Sequence, residues 1–149
     1  METVHPRLKF SFVAAHVFLP VFIGGLIYLL WRSPSLLMFS WVDATGLSDA
    51  LFKVRELTSS FRSSIPDFLL YSLPNALWVY SLTAFMVWYW YGSRSHVKYF
   101  WFCVGPILGA GVEVGQFFIL IPGTFDVVDL ITALFASLLP VIFIKFRKG

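Results

Sequence analysis

The sequence predicts an all-α, polytopic membrane protein: four transmembrane helices plus an interfacial amphipathic helix, forming one membrane domain over residues 1–149. Hydrophobic residues make up 58% of the chain and charged residues only 13%, with a mean hydropathy of +0.80. That leaves too few polar side chains to cover a soluble globule of this size. The apolar residues also fall in runs close to the roughly 20 residues that a helix needs to cross a bilayer core.

Four apolar segments are predicted to cross the membrane. The first, residues 10–31, follows Arg7 and Lys9. It is longer than a signal-peptide core and no small-residue cleavage site follows it, so we expect a retained anchor. The other segments cover residues 68–91, 99–121 and 125–146.

The connection between the first two spans is predicted to contain a helix over residues 47–63. Apolar residues recur there at helical spacing, while charged residues occupy the other side, which is typical of a helix lying on a membrane surface. A plain connector and a gate over an outer-leaflet site are both consistent with this pattern. The apolar positions are Leu47, Leu51, Val54, Leu57 and Phe61.

Basic residues near span ends favour the cytoplasmic side, and they predict that both termini are cytoplasmic in a bacterial inner membrane. With this orientation seven basic residues are inside and four outside. The inner set is Arg7, Lys9, Arg94, Lys98, Lys145, Arg147 and Lys148; the outer set is Arg32, Lys53, Arg55 and Arg62.

Polar side chains from three spans then converge at the outer face, and they form the candidate functional site. Glu113 and Gln116 are three residues apart in one span, so they share a helix face. The same spacing separates two aspartates at the start of the last span. The complete candidate set is Glu113, Gln116, Asp129, Asp126, Asp67, Tyr71 and Asn75.

These acids are expected to need compensation, because an ionisable group within a membrane segment costs about 2.5 kcal/mol or more. The only Lys or Arg inside a predicted span is Lys145, at the cytoplasmic end of the last span and far from these acids. Protonation, hydrogen bonds and a divalent cation therefore remain open, although no fixed metal-motif spacing is present. Asp126 also has a structural interpretation, in the first turn of a helix capped by Thr124, whereas Asp129 and Glu113 lie too deep for capping.

Small and helix-breaking residues indicate close packing around this site. Pro74 is expected to kink the second span. Four glycines along the third span are predicted to let neighbouring helices approach closely. They are Gly105, Gly109, Gly111 and Gly115.

The segment from Gly111 to Asp129 resembles the VanZ-like family of small bacterial membrane proteins. The shared pattern is Glu113-x-x-Gln116, a short loop, and an Asp at the start of the last helix, with Asp67 and Tyr71 at the corresponding earlier helix. The family usually has a His just after that first Asp and an Asn four residues after the last, where this chain has Ala133. The resemblance implies a cell-envelope protein, and some relatives are linked to glycopeptide resistance.

Two functions follow as hypotheses. The outer site binds an envelope lipid or its headgroup, or the chain is a non-enzymatic subunit or assembly factor of a larger membrane complex. A proton-coupled transporter would require oligomerisation, since four spans leave little room for a path. Ser-His-acid, P-loop and GxGxxG motifs are absent from the sequence, so no catalytic residue is assigned. Membrane lipid is the expected partner, a membrane protein partner or a second copy of the chain remain open as alternatives, and nothing indicates nucleic acid.

Overall fold

The computed structural model describes residues 10–146, with side chains through residue 143. Within residues 10–146 the chain is helical and forms no strand, which confirms the all-α fold class. The basic residues predicted to mark the cytoplasmic termini, Arg7, Lys9, Arg147 and Lys148, lie outside the described residues, as does the side chain of Lys145.

Six helices follow one another along the described chain. They are α1 (Phe10–Trp31), α2 (Leu37–Ala44), α3 (Ser48–Thr58), α4 (Asp67–Tyr89), α5 (Val97–Phe117) and α6 (Val127–Phe146). A 3₁₀ segment, Ser59–Ser64, continues α3, and a π-helical turn, Ala14–Phe18, lies inside α1. The sequence pattern did not predict α2.

Helix α5 ends at Phe117, four residues before the predicted end of its span, because the chain turns back there. The N–H of Leu120 donates to the carbonyl of Gly115 at 2.8 Å, and the N–H of Ile119 donates to that of Gln116 at 3.0 Å. This is a Schellman motif, in which the residue after the cap adopts the left-handed conformation. Ile119 has that conformation, with φ of 59°, which is strained for a β-branched residue.

Helix α4 is central and packs against α1, α5 and α6. Glycines on its neighbours allow two of these close approaches. A Cβ atom at Gly24 of α1 would lie 2.7 Å from Nε1 of Trp78, and one at Gly105 of α5 would overlap the hydroxyl of Thr83. Both partner residues lie on α4. The backbones of α1 and α5 at these two glycines are therefore in direct contact with side chains of α4.

The other predicted glycines differ in their surroundings. A Cβ at Gly109 would lie 3.1 Å from Val79 and 3.2 Å from Ala133, so it also faces neighbouring helices. Gly115 instead faces Ile121 of the following loop, at 2.6 Å. Gly111 has no neighbour within 4 Å, and the prediction that it supports helix packing was therefore wrong.

The interior contains mainly small and polar side chains, while large apolar side chains cover the outside. Ala84 and Thr83 are completely buried, and Ser81 and Ser137 are nearly so. More than half of each large side chain is exposed at many outer positions, including Phe22, Phe100 and Phe135. A globule in water has the opposite distribution.

Polar contacts fasten α1 to its neighbours. Ser81 of α4 donates to the carbonyl of Val17 at 2.7 Å, within the π-helical turn. At the other end of α1, Arg55 of α3 donates to the carbonyls of Leu29 and Arg32, the latter at 2.8 Å. The two bonds from Arg55 satisfy carbonyl groups that the end of a helix leaves without partners. They also attach α3 to the end of α1.

Candidate functional site

Two neighbouring cavities lie where α1 ends, α4 begins and the α5–α6 loop returns. The larger, of about 670 Å³, is lined by Asp67, Tyr71, Asn75, Gln116, Asp126 and Asp129. The smaller, of about 190 Å³, is lined by Asn75, Glu113 and Asp129 together with apolar residues. All seven candidate residues therefore line one cavity or the other, and Asn75 and Asp129 line both.

Glu113 is buried, with 4% of its surface exposed. Its Oε2 accepts a hydrogen bond from the backbone N–H of Asp126 at 3.1 Å. That bond joins the last third of α5 to the residue just before α6. Glu113 therefore holds together the two helices whose polar residues form the site.

Asp126 caps α6. Its Oδ1 accepts the backbone N–H of Val128 at 2.7 Å, the contact that a capping side chain makes at a helix N-terminus. Thr124 was expected to provide this cap, but it lies in the loop and lines the larger cavity. One oxygen of Asp126 is consequently committed to the helix.

Asp129 lies in the first turn of α6, closer to the helix start than predicted, because the helix begins at Val127 and not at residue 125. Its Oδ1 is the one buried side-chain oxygen or nitrogen without a hydrogen-bond partner in the described part of the chain. Leaving a buried polar atom unpaired costs about 1–3 kcal/mol, and more for a charged group. Among the predicted site residues, Asp129 is therefore the one with a buried oxygen that lacks a partner.

Asp67 and Tyr71 share one basic partner. Arg62 of the 3₁₀ segment donates to the hydroxyl of Tyr71 at 2.9 Å. Its Nη1 also lies 3.7 Å from Oδ1 of Asp67. Because Asp67 is exposed, this ion pair contributes little to stability, but it links the 3₁₀ segment to the first turns of α4.

Arg32 also lines the larger cavity, although it was not among the predicted site residues. Its guanidinium lies close to two aromatic rings, 4.9 Å from the centroid of Tyr28 and 4.6 Å from that of Tyr71. Within residues 10–146 the guanidinium has no hydrogen bond and no ion pair. The sequence did carry a signal for it, since Arg32 is the first basic residue after the first span and was assigned to the outer face.

The position of Arg32 is fixed by the neighbouring helix. Arg55 of α3 donates a hydrogen bond to the Arg32 carbonyl and so fixes the Arg32 backbone. The Arg55 guanidinium also lies 4.9 Å from the ring centroid of Phe39. Burial lowers the pKa of Arg55 below its ordinary value, yet an arginine keeps its charge in proteins. The cation can therefore hold the end of α1 at ordinary pH.

The returning loop shapes another wall of the cavity. Gly123 has φ of 136°, a conformation that favours glycine, and a Cβ there would overlap the amide of Gln116. Gln116 and Gly123 both line the larger cavity. The loop thus lies directly on the polar end of α5.

A divalent cation was one of the expected ways to compensate the acids. Within the described residues, no three or more His, Cys, Asp or Glu side chains are grouped so that they could hold a metal ion. The acids near the cavities differ in their surroundings instead: Glu113 is buried, Asp126 caps α6 and Asp129 is partly buried. Arg32 is the basic residue that lines the larger cavity together with Asp67, Asp126 and Asp129.

Comparison of the chain with protein-family models, curated proteins and solved structures found no match. The class of protein is therefore assigned from its fold and from the residues that line its cavity. It is an all-helical protein with a polar cavity at one end of the bundle. Two of its helices, Phe10–Trp31 and Val97–Phe117, are long and apolar enough to cross a membrane.

Proposed function

We propose that the chain is a four-span protein of the bacterial cytoplasmic membrane, with both termini in the cytoplasm. Support comes from α1 and α5, which are long and apolar, and from the large apolar side chains on the outside of the bundle. Helices α4 and α6 have 23 and 20 residues. At about 1.5 Å per residue both are long enough to cross a core of about 30 Å.

The composition of helix α3 is consistent with a position on the outer surface of the cytoplasmic membrane. Its exposed apolar residues include Leu47, just before the helix, and Leu57, which are 60% and 77% exposed. The charged residues Lys53 and Glu56 lie on the same short helix. Such a helix is stable with its apolar side in the headgroup region.

Reporter fusions test the proposed orientation. Alkaline phosphatase is active only outside the cytoplasm, so a fusion at Ser60 should be active and one at Ser95 inactive. A green fluorescent protein fused at the same positions should give the reverse pattern. Phosphatase activity at Ser95 would contradict the proposed orientation.

The function proposed for this protein is binding of an envelope lipid headgroup in the larger cavity. One observation carries the proposal: about 670 Å³ of space is lined by polar side chains from α1, α4, α5 and α6, at the end of a bundle with an apolar exterior. Ligand sites typically have volumes of about 300–1,000 Å³ with a few convergent polar groups. A bound lipid can leave its acyl chains along the apolar exterior.

Native mass spectrometry of gently extracted protein tests this binding. We expect wild type to retain more lipid than Asp129→Asn does, because Asp129 lines both cavities. Glu56→Asn is the control, since Glu56 is an exposed acid on α3. Equal lipid retention by all three proteins would contradict the proposal, and a second protein retained by all three would indicate a complex subunit instead.

The resemblance to the VanZ-like family extends the proposal to glycopeptide resistance. Cells producing wild type should then tolerate a higher glycopeptide concentration than cells producing Asp129→Asn at the same membrane level. Immunoblotting of membranes establishes equal levels. Identical tolerance would remove resistance from the proposal without affecting the binding measurement.

A further inference from the structure

Among the residues that the structure describes, two side chains of opposite charge that line the larger cavity have polar atoms without a hydrogen-bond partner. The Arg32 guanidinium contacts two tyrosine rings but has no hydrogen bond or ion pair within residues 10–146. Oδ1 of Asp129 is buried and has no hydrogen-bond partner there. Both residues line the same cavity, so one ligand that fills it would contact both side chains once the Asp129 carboxyl turns its buried oxygen toward the cavity.

The other charged groups around the cavity are already engaged. Asp126 caps α6, and Arg62 contacts Asp67 and Tyr71. Glu113 accepts the N–H of Asp126 and does not line the larger cavity. Among these groups, Arg32 and Asp129 therefore have the most bonding capacity left for a ligand.

The unused capacity of Arg32 is suited to an anion. A guanidinium presents its N–H donors in a planar fork that matches the oxygens of a phosphate or carboxylate. The ring centroids of Tyr28 and Tyr71 lie 4.9 Å and 4.6 Å from the guanidinium, and the bond from Arg55 fixes the Arg32 backbone. These contacts place the guanidinium at the cavity wall and leave its N–H donors for a ligand.

The unused capacity of Asp129 is suited to the opposite kind of group. A carboxylate oxygen only accepts hydrogen bonds, so it requires an N–H or O–H donor. A simple anion would leave Oδ1 unpaired and would be repelled by it. A simple cation would leave the Arg32 fork unpaired.

We infer that the larger cavity recognises a donor-bearing phosphate headgroup: a phosphate ester that binds Arg32 and also carries an ammonium or hydroxyl donor for Asp129. This inference rests on the proposed function and specifies its ligand class. Ethanolamine phosphates and polyol or sugar phosphates share the required chemistry. A phosphocholine headgroup has the phosphate but no N–H or O–H donor.

Short-chain lipids separate these possibilities on the wild-type protein. Dihexanoyl phosphatidylethanolamine, phosphatidylglycerol and phosphatidylcholine share acyl chains and a phosphodiester and differ in the donor. We expect the first two to bind about tenfold or more tightly than phosphatidylcholine, measured by calorimetric titration in detergent, because the last leaves Asp129 unpaired. This comparison requires no variant to fold.

Two variants assign the two halves of the headgroup. Asp129→Asn should bring phosphatidylethanolamine and phosphatidylcholine to within about threefold of each other. Arg32→Gln should weaken all three lipids by about tenfold or more, and Arg32→Lys should restore part of that loss. Asp49→Asn and Lys53→Gln are the matched controls, since both residues are exposed on α3, and thermal unfolding checks that each variant is folded.

The outcomes separate this inference from the proposed function. If wild type binds phosphatidylcholine as tightly as phosphatidylethanolamine, the requirement for a donor-bearing phosphate headgroup is wrong while lipid binding stands. If no lipid binds, both are wrong. If free phosphoethanolamine binds as tightly as its lipid with the same dependence on Arg32 and Asp129, the ligand class is supported and the lipid is replaced by a soluble phosphate ester.

Discussion

Replacing two glycines of α5 by alanine should change stability in opposite directions. At Gly105 the new Cβ would overlap the Thr83 hydroxyl and lie 3.3 Å from both Thr83 Cβ and the Val79 carbonyl oxygen. Thr83 is fully buried and its hydroxyl is bonded to Val79 at 3.0 Å, so it cannot easily move away. At Gly111 the new Cβ would meet nothing within 4 Å.

The magnitudes follow from two contributions. Alanine in place of glycine within a helix gains about 0.5–1 kcal/mol at either position. Overpacking at Gly105 costs about 1–3 kcal/mol. Because the helix gain is common to both variants, Gly105→Ala should be less stable than Gly111→Ala by the overpacking cost alone.

Unfolding by sodium dodecyl sulfate in mixed micelles, followed by circular dichroism, measures this difference. Gly111→Ala should be at least as stable as wild type and Gly105→Ala less stable. The double variant Gly105→Ala/Thr83→Ala should recover part of the loss, because it removes the overlapping hydroxyl. Equal stability of the two single variants would refute the close approach of α5 to α4.

Three further predictions concern the ends of the helices around the site. Glu113→Ala should destabilise the fold by about 1–3 kcal/mol, because it leaves the N–H of Asp126 unpaired. Glu113→Gln keeps an acceptor and should cost less. Equal losses of stability in the same detergent titration would contradict this bond. Ile119→Gly should stabilise by about 1 kcal/mol, since glycine relieves the left-handed strain and Ile119 is 91% exposed; unchanged stability would argue against that strain. Arg55→Gln should speed amide hydrogen exchange in α3, because α3 is then no longer bonded to α1, and the control Lys53→Gln should not. Equal exchange rates in the two variants would show that Arg55 does not attach α3 to α1.

The positions of most site residues could be predicted from the sequence because they follow from topology. Hydropathy indicates which segments are helical, and an antiparallel arrangement places the end of one beside the start of the next. Asp67, Glu113 and Asp129 all lie near such ends. The cavities that these residues line contain the whole predicted set.

The roles of individual residues were harder to predict because they depend on distances of a few ångströms. The cap of α6 comes from Asp126 and not from Thr124, which depends on where the loop from Ile121 to Phe125 ends. Gly111 looked equivalent to its neighbours, yet it faces open space. The local pattern contains neither the helix rotation nor the loop path that decides these contacts.

The sequence alone determined the all-helical class, because an apolar chain in long runs can satisfy its backbone groups within a membrane only by forming helices or a closed barrel, and the runs have helical length. It also placed a set of polar residues at one end of the bundle. Tertiary structure alone decided how they are paired. Arg55 attaches α3 to the end of α1 and two tyrosines hold Arg32, so a basic residue from a distant connection lines the same cavity as Asp129. Sequence spacing cannot show such pairing, since it arises from contacts between residues that lie far apart in the chain.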